Sequence, residues 1–365
     1  MTPRIAYVIN SVEGGGAASP IPDLARVMQD WGAEVRIFAL TRRDGRALAA
    51  IGAAGLPAVV RPGGESDHLA ALCWLDREMR LWQPSLIWTS LSRATLLGQI
   101  VGGLHHVPVV SWQHAAYLKP WNRRLLRLMQ GRARFWVADS QSVAALTVRK
   151  LGVPADRLMI WPIFAADTAA PIAAPWQPGQ SLRIGSLGRL HPVKGYDVLI
   201  AALARLKADG FVPPVPFQIC IAGDGAELGA LQAAAQAAGI SDSIRWQGYV
   251  ADPRQFLAGL HGYVQPSRSE GFCIAAHEAM QAGLPVIVSG VGELPFSVAT
   301  GKMGQVVPPD DTAALAAALA VFLGDPGRLH QMGQAARTHV LDRFSRQRFE
   351  AAGRAILDRS GLSRV

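Results

Sequence analysis

The chain has 365 residues, 50% of them hydrophobic and 17% charged, with a formal net charge of +9. At roughly 150 residues per domain this length implies about two domains, and the composition leaves no case for a disordered chain. Its longest apolar run, Ala313–Leu323, falls short of the roughly 18 residues that span a bilayer, and Met1–Asn10 lacks a signal-peptide core. Three cysteines, Cys73, Cys220 and Cys273, form no CxxC pair, which argues against a disulfide framework or a zinc site. A soluble, cytoplasmic protein is therefore expected.

Strands and helices alternate from the first residues onward. A strand is expected at Arg4–Ile9, a helix at Ile21–Trp31 closed by Gly32, and a strand at Glu34–Leu40. Further strands are expected at Leu86–Thr89, Val107–Trp112, Phe135–Ala138 and Met159–Pro162, with helical sequence around them. Residues 166–181 carry Pro171, Pro175 and Pro178 among alanines and read as a linker. The alternation then resumes. Strands are expected at Leu182–Leu187, Phe217–Ala222, Ser243–Gln247, Gly262–Gln265 and Pro285–Ser289, and helices at Asp197–Ala208, Ala226–Ala238, Ile274–Gln281 and Ser345–Asp358. The fold class is α/β: two doubly wound, Rossmann-like domains at residues 1–165 and 182–344, with the last helix (about 345–365) crossing back onto the first. A ligand would then bind where the strands end.

Charge is distributed unevenly. Residues 1–165 carry 19 Lys and Arg against 11 Asp and Glu, whereas residues 166–365 carry 17 against 16. No acidic residue occurs between Glu78 and Asp139. Within that span Lys119, Arg123, Arg124, Arg127 and Arg132 surround Trp121, Leu125, Leu128 and Met129, which recur at helical spacing from Tyr117 to Phe135. Such a pattern suits either a helix lying on an anionic membrane or a packed helix with a wet basic face. Stacking aromatics and recognised nucleic-acid modules are not evident, so no nucleic-acid partner is expected.

Four loops carry candidate chemistry. Gly14-Gly15-Gly16 follows the first strand, where glycines let backbone N–H groups approach a phosphate. Gly188-Arg189-Leu190-His191-Pro192-Val193-Lys194-Gly195 follows the first strand of the second domain. There Arg189 as a fork and Lys194 as a point charge bracket a diphosphate, or are simply surface cations. Glu270-Gly271-Phe272-Cys273-Ile274 precedes a helix whose amide end favours anions, and Glu278 lies inside that helix. His114 ends a first-domain strand.

Together these residues resemble the retaining glycosyltransferases of the GT-B fold, specifically family 4. The Glu-x7-Glu signature is Glu270 to Glu278, within SEGFCIAAHEAMQAGLPVIVS. The Gly-Arg-Leu-x3-Lys-Gly loop, Ala222-Gly223-Asp224-Gly225 and the Gly248-Tyr249-Val250 turn match as well. The resemblance is dense over residues 184–310 and looser before residue 140.

It implies a hexosyltransferase acting across a central cleft. Arg189, Lys194 and the backbone of Gly15 or Gly16 would meet the donor diphosphate, with Gly271, Phe272, Cys273 and Ile274 alongside. Glu278 would hold the ribose, Glu270 the donor sugar, and Val250 the base. His114 would lie by the sugar, and Ser140 would line the cleft. Transfer would retain configuration by a front-face route. No Asp-x-Asp occurs, so neither metal nor cofactor is expected. Asp252 offers two acceptors to the guanine edge, hence GDP-mannose; equally, it starts a turn before Pro253, which leaves UDP-glucose or UDP-N-acetylglucosamine open. The implied acceptor is a lipid-linked glycan or polysaccharide precursor, met on the inner face of the plasma membrane. The first loop lacks the Glu-Arg pair of many relatives. Remoter readings are a non-catalytic binding protein or an NAD-dependent oxidoreductase, the latter from Gly223-x-Gly225-x3-Gly229, whose spacing is not GxGxxG.

Overall fold

The computed structural model describes residues 2–114 and 118–362. It divides into two compact units, one holding the chain up to Ala165 together with the segment from Arg346, the other Ala166–Ser345.

The first unit is a seven-stranded sheet: β1 (Arg4–Ser11), β2 (Glu34–Thr41), β3 (Ala58–Val60), β4 (Leu86–Ser90), β5 (Val109–Gln113), β6 (Phe135–Ala138) and β7 (Leu158–Ile160). All neighbours pair parallel, in the order β3-β2-β1-β4-β5-β6-β7. Every residue of β4, β5 and β6 is buried, as central strands covered on both faces require.

The second unit repeats the plan with six parallel strands: β8 (Leu182–Leu187), β9 (Phe217–Ala222), β10 (Ile244–Gly248), β11 (Gly262–Gln265), β12 (Val286–Ser289) and β13 (Gly304–Val307). Their order is β10-β9-β8-β11-β12-β13. In each sheet the chain reverses its direction of growth once, between β1 and β4 and between β8 and β11. At such a reversal the loops leave the strand ends in opposite directions and open a crevice.

The eleven-residue apolar run lies in the Thr312–Gly324 helix, which buries Leu315, Leu319, Phe322 and Leu323 in the second core. Among the described residues no single helix is long and apolar enough to cross a membrane. Residues 166–181, expected as a linker, belong to the second unit. Ala166 bridges Ser345, the Asp167 amide donates to Gln281 Oε1 at 2.7 Å, and the Ala173 amide donates to the Ala282 carbonyl at 2.8 Å. Proline removes helical periodicity without removing packing, and composition alone confuses the two.

The Arg346–Arg359 helix packs on the first unit. Trp31 Nε1 donates to Asp358 Oδ1 at 2.7 Å, and Trp161 Nε1 to the Phe349 carbonyl at 3.0 Å. Beneath it Trp161 stacks on Trp112, with centroids 5.2 Å apart and planes 11° from parallel, and Trp88 meets both edge-on.

Candidate functional site

In the second unit the loops after β8 and β11 meet where the sheet order reverses. Gly195 ends the first loop at φ +66°, and a Cβ there would overlap the Pro266 carbonyl, so only glycine permits this approach. The Arg268 amide donates to the Val193 carbonyl at 2.8 Å. The Arg268 guanidinium pairs with Asp197 at 2.7 Å and Asp310 at 2.6 Å, locking the two loops together.

Held this way, Lys194 Nζ donates to Glu270 Oε1 at 2.7 Å. Burial works against the ammonium, but the charge and hydrogen bond of Glu270, together with the nearby Cys273 and Tyr196, outweigh it and push the Lys194 pKa up to about 12. The same carboxylate oxygen accepts from the Ser267 hydroxyl at 2.7 Å. Ser267 accepts from Gln265 Nε2 at 2.8 Å, and Gln265 Oε1 accepts from the Tyr263 hydroxyl at 2.6 Å. This buried relay runs along β11 and aims every donor toward Glu270.

Arg189, on the β8 loop, is exposed and makes no hydrogen bond or ion pair among the described residues. An unpaired guanidinium near a lysine already bound to a carboxylate leaves positive charge available to an anion.

Glu278 is half-buried in the Ile274–Gln281 helix, and burial pushes its carboxyl up to about 7 against the opposing charge of Arg254. Asp252 Oδ1 accepts from the Gln255 amide at 3.0 Å and caps the Pro253–Ala258 helix, which accounts for the residue structurally. Val250 sits half-buried between that cap and Gly248, whose carbonyl accepts from Gly223 at 2.7 Å.

The resemblance of Gly223 and Gly225 to a dinucleotide fingerprint has another origin. Both have positive φ, and their missing Cβ atoms would overlap the carbonyls of Gly188 and Leu190. These glycines let the β9 loop press on the Arg189 loop.

In the first unit three consecutive strand ends converge on one imidazole. His114, just after β5, stacks on Trp112 at 5.1 Å, its Nε2 lies 2.7 Å from Oγ of Ser90, the last residue of β4, and its Nδ1 lies 3.4 Å from Asp139 Oδ2 just after β6. Burial pushes the Asp139 carboxyl up, opposed by His114.

The Gly15 carbonyl accepts from the Ala18 and Ser19 amides at 3.1 and 3.0 Å, which turns the chain toward the Ile21–Asp30 helix with Gly16 exposed. Ser140 is buried, and its hydroxyl accepts from the Val143 amide at 3.1 Å; this cleft candidate is a helix cap.

The basic segment forms a helix at Pro120–Met129, with Tyr117 outside the described residues. Leu126 is buried, whereas Trp121 and Leu128 are 66% and 82% exposed. At about 100° per residue, Arg124 falls beside Trp121 and Leu128 on the face opposite Leu126.

Two family models tile the chain: "Glycosyltransferase Family 4" over residues 14–164 and "Glycosyl transferases group 1" over residues 174–339. The chain belongs to the group 1, family 4 glycosyltransferases. It is 32% identical to a lipopolysaccharide core biosynthesis mannosyltransferase, LpcC, of Rhizobium leguminosarum bv. viciae, over 66% of each chain. It is 30% identical to a glycogen synthase of Mycobacterium tuberculosis, over 73% of this chain and 67% of that protein. The chain spans 37% to 66% of the length of several other curated family members and of LpcC itself. Its fold matches that of Anabaena Alr3699/HepE in complex with UDP and glucose, with a TM-score of 0.82 at 21% identity over 98% of this chain and 99% of that one. The architecture is thus GT-B, two parallel-sheet Rossmann-like domains.

Sequence reasoning missed Tyr263, Gln265 and Ser267. Their signal was a polar residue at every second position of an otherwise apolar strand and its exit, a period-2 stripe aimed at Glu270. Ser90 and Asp139 went unassigned because nothing local marks them; only the sheet brings them to His114.

Proposed function

We propose that this family member is a metal-independent, retaining hexosyltransferase that moves mannose from GDP-mannose to a lipid-linked glycan or polysaccharide precursor. The observation that carries the reading is the Lys194–Glu270 pair at the β8–β11 reversal, with the unpaired Arg189 on the same loop. Departure of a nucleoside diphosphate concentrates negative charge on phosphate oxygens, and fixed cations in a partly water-excluded site stabilise that charge without reorganising. Lys194 takes this part, with the exposed Arg189 as a second cation that closes on the diphosphate, aided by backbone amides at Gly271–Ile274 and by the Gly15-Gly16 turn. Glu270 holds hydroxyls of the donor sugar, Glu278 those of the ribose, and Val250 meets the base through its main chain. His114 is assigned to the sugar, where charge develops as its bond to the diphosphate lengthens. The acceptor attacks on the face the diphosphate leaves, so no protein nucleophile takes part.

Mannose is favoured by likeness to the Rhizobium protein, whose name specifies a mannosyltransferase of lipopolysaccharide core. Asp252 supports it only through its second carboxylate oxygen, since the first caps a helix. The likeness to a fold carrying UDP and glucose favours a second reading, a UDP-sugar donor.

Thermal shift with GDP, UDP and NAD separates these. A nucleotide at 100 times its Kd adds about 2.7 kcal/mol of stability. GDP alone is expected to raise the melting temperature; a response to UDP alone moves the donor to a UDP-sugar, and a response to NAD alone ends the glycosyltransferase reading.

The Pro120–Met129 helix supports a peripheral location on the cytoplasmic face of an anionic membrane. Trp121 and Leu128 would enter the interface, with Lys119, Arg123, Arg124, Arg127 and Arg132 around them. Reversing Arg123, Arg124 and Arg127 to Glu is expected to abolish cosedimentation with phosphatidylglycerol vesicles. Undiminished binding at moderate salt would remove this helix from the contact.

A further inference from the structure

We infer that His277 is a positioning residue, a neutral imidazole clamp that fixes the Glu270 loop through the main chain of Cys273. The inference deepens the proposed function, since it concerns the loop assigned there to the donor.

Cys273 enters the Ile274–Gln281 helix at φ +67°, a left-handed conformation that costs a non-glycine residue free energy unless its surroundings impose it. Its carbonyl is the acceptor for the first helical turn, but the His277 amide reaches it only at 3.4 Å. The His277 ring supplies the stronger contact, with Nδ1 2.9 Å from the same carbonyl. A carbonyl only accepts, so Nδ1 carries the proton. Nε2 then accepts from the Ser297 hydroxyl at 2.9 Å.

The ring is fully buried, stacked on Phe272 at 4.1 Å and edge-on to Phe344 at 5.0 Å. Burial holds its pKa down to about 4, so it stays neutral and keeps this donor–acceptor polarity. The neighbouring Glu293 amide donates to the Gly271 carbonyl at 2.9 Å, so two bonds from residues 293–297 brace the loop from behind. Cys273 stands three residues after Glu270 in the same loop, so the place where its main chain is held sets where that loop returns to the helix. Position therefore passes from Ser297 through His277 to the Cys273 carbonyl, at the end of the loop that carries the carboxylate paired with Lys194. The imidazole is rigid, and its two nitrogens span from one helix turn to the next segment.

The test compares the full chain with His277→Phe, His277→Asn and Ser297→Ala. Phe keeps the ring packing but neither bond, whereas Asn can still donate to the carbonyl one turn back. Hydrogen exchange needs no substrate: in His277→Phe, amides 273–276 are expected to exchange at least tenfold faster with β8 and β9 unchanged. With donor sugar, kcat is expected to fall at least tenfold, and His277→Asn to recover most of it. Ser297→Ala, which leaves the ring in place, is expected to give a several-fold version of the same exchange change. Unaltered exchange at 273–276 in both His277→Phe and Ser297→Ala overturns the clamp, as does a His277→Asn no better than His277→Phe. If the wild type turns over neither GDP-mannose nor UDP-glucose, the donor assignment fails while the exchange result still decides the clamp.

Discussion

Lys194→Ala and Glu270→Ala are each expected to reduce sugar transfer by roughly 10²–10³-fold, the usual consequence of deleting one preorganised electrostatic contact to a developing charge. The two variants part company in stability. Both side chains are largely withdrawn from water, 21% and 11% exposed, so removing one partner strands the other. In Glu270→Ala the stranded group is an ammonium, which a nucleoside diphosphate can neutralise. In Lys194→Ala it is a carboxylate, which the diphosphate repels and which, among the described residues, keeps the Ser267 hydroxyl as its hydrogen-bond donor. Saturating nucleotide should therefore raise the melting temperature of Glu270→Ala by at least as much as that of wild type, and that of Lys194→Ala by much less. Equal rescue of both variants would place the diphosphate elsewhere. Full turnover by either would remove the pair from the chemistry.

Trp161→Ala is expected to destabilise the first unit by about 3–5 kcal/mol, the range for deleting a large buried aromatic. Trp161 is fully buried, stacks on Trp112, meets Trp88 edge-on and Phe349 at a tilt, and its indole holds the Phe349 carbonyl. A unit of this size loses about 2–4 °C per kcal/mol, so its melting should fall by roughly 6–20 °C. The second unit contains none of these contacts. Calorimetry should show one early transition and one near its wild-type temperature. A shift below 2 °C would mean that the indole ladder carries little of the load assigned to it.

The parallel sheets were legible because buried parallel strands leave apolar runs, such as Phe217–Ala222 and Leu182–Leu187, whose bounds hold to the residue. The Arg189–Lys194 loop and the Glu270–Glu278 spacing were legible because each lies within one short segment. What escaped depends on which segments lie side by side. Arg268 reads as one more surface cation until Asp197 and Asp310 are seen around it. His277 reads as a residue inside an alanine-rich helix, since neither Ser297 nor the stretched amide bond at Cys273 has a sequence signature. Asp252 shows the opposite limit: a cap and a base-binding carboxylate have the same local sequence, and only the cap is visible in the protein alone.

The first unit is assembled from both sides of the second, since the Arg346–Arg359 helix completes it from beyond Ser345. The second unit is continuous in sequence and holds all its own strands, so during synthesis it has what it needs to close first. The first sheet, although all its strands are made earlier, leaves Trp161 and Trp31 without the Phe349 and Asp358 side of their packing until that helix arrives. Exposed indoles on a waiting intermediate invite aggregation. A premature stop just after residue 345 would thus leave the later-made unit intact and cripple the one made before it.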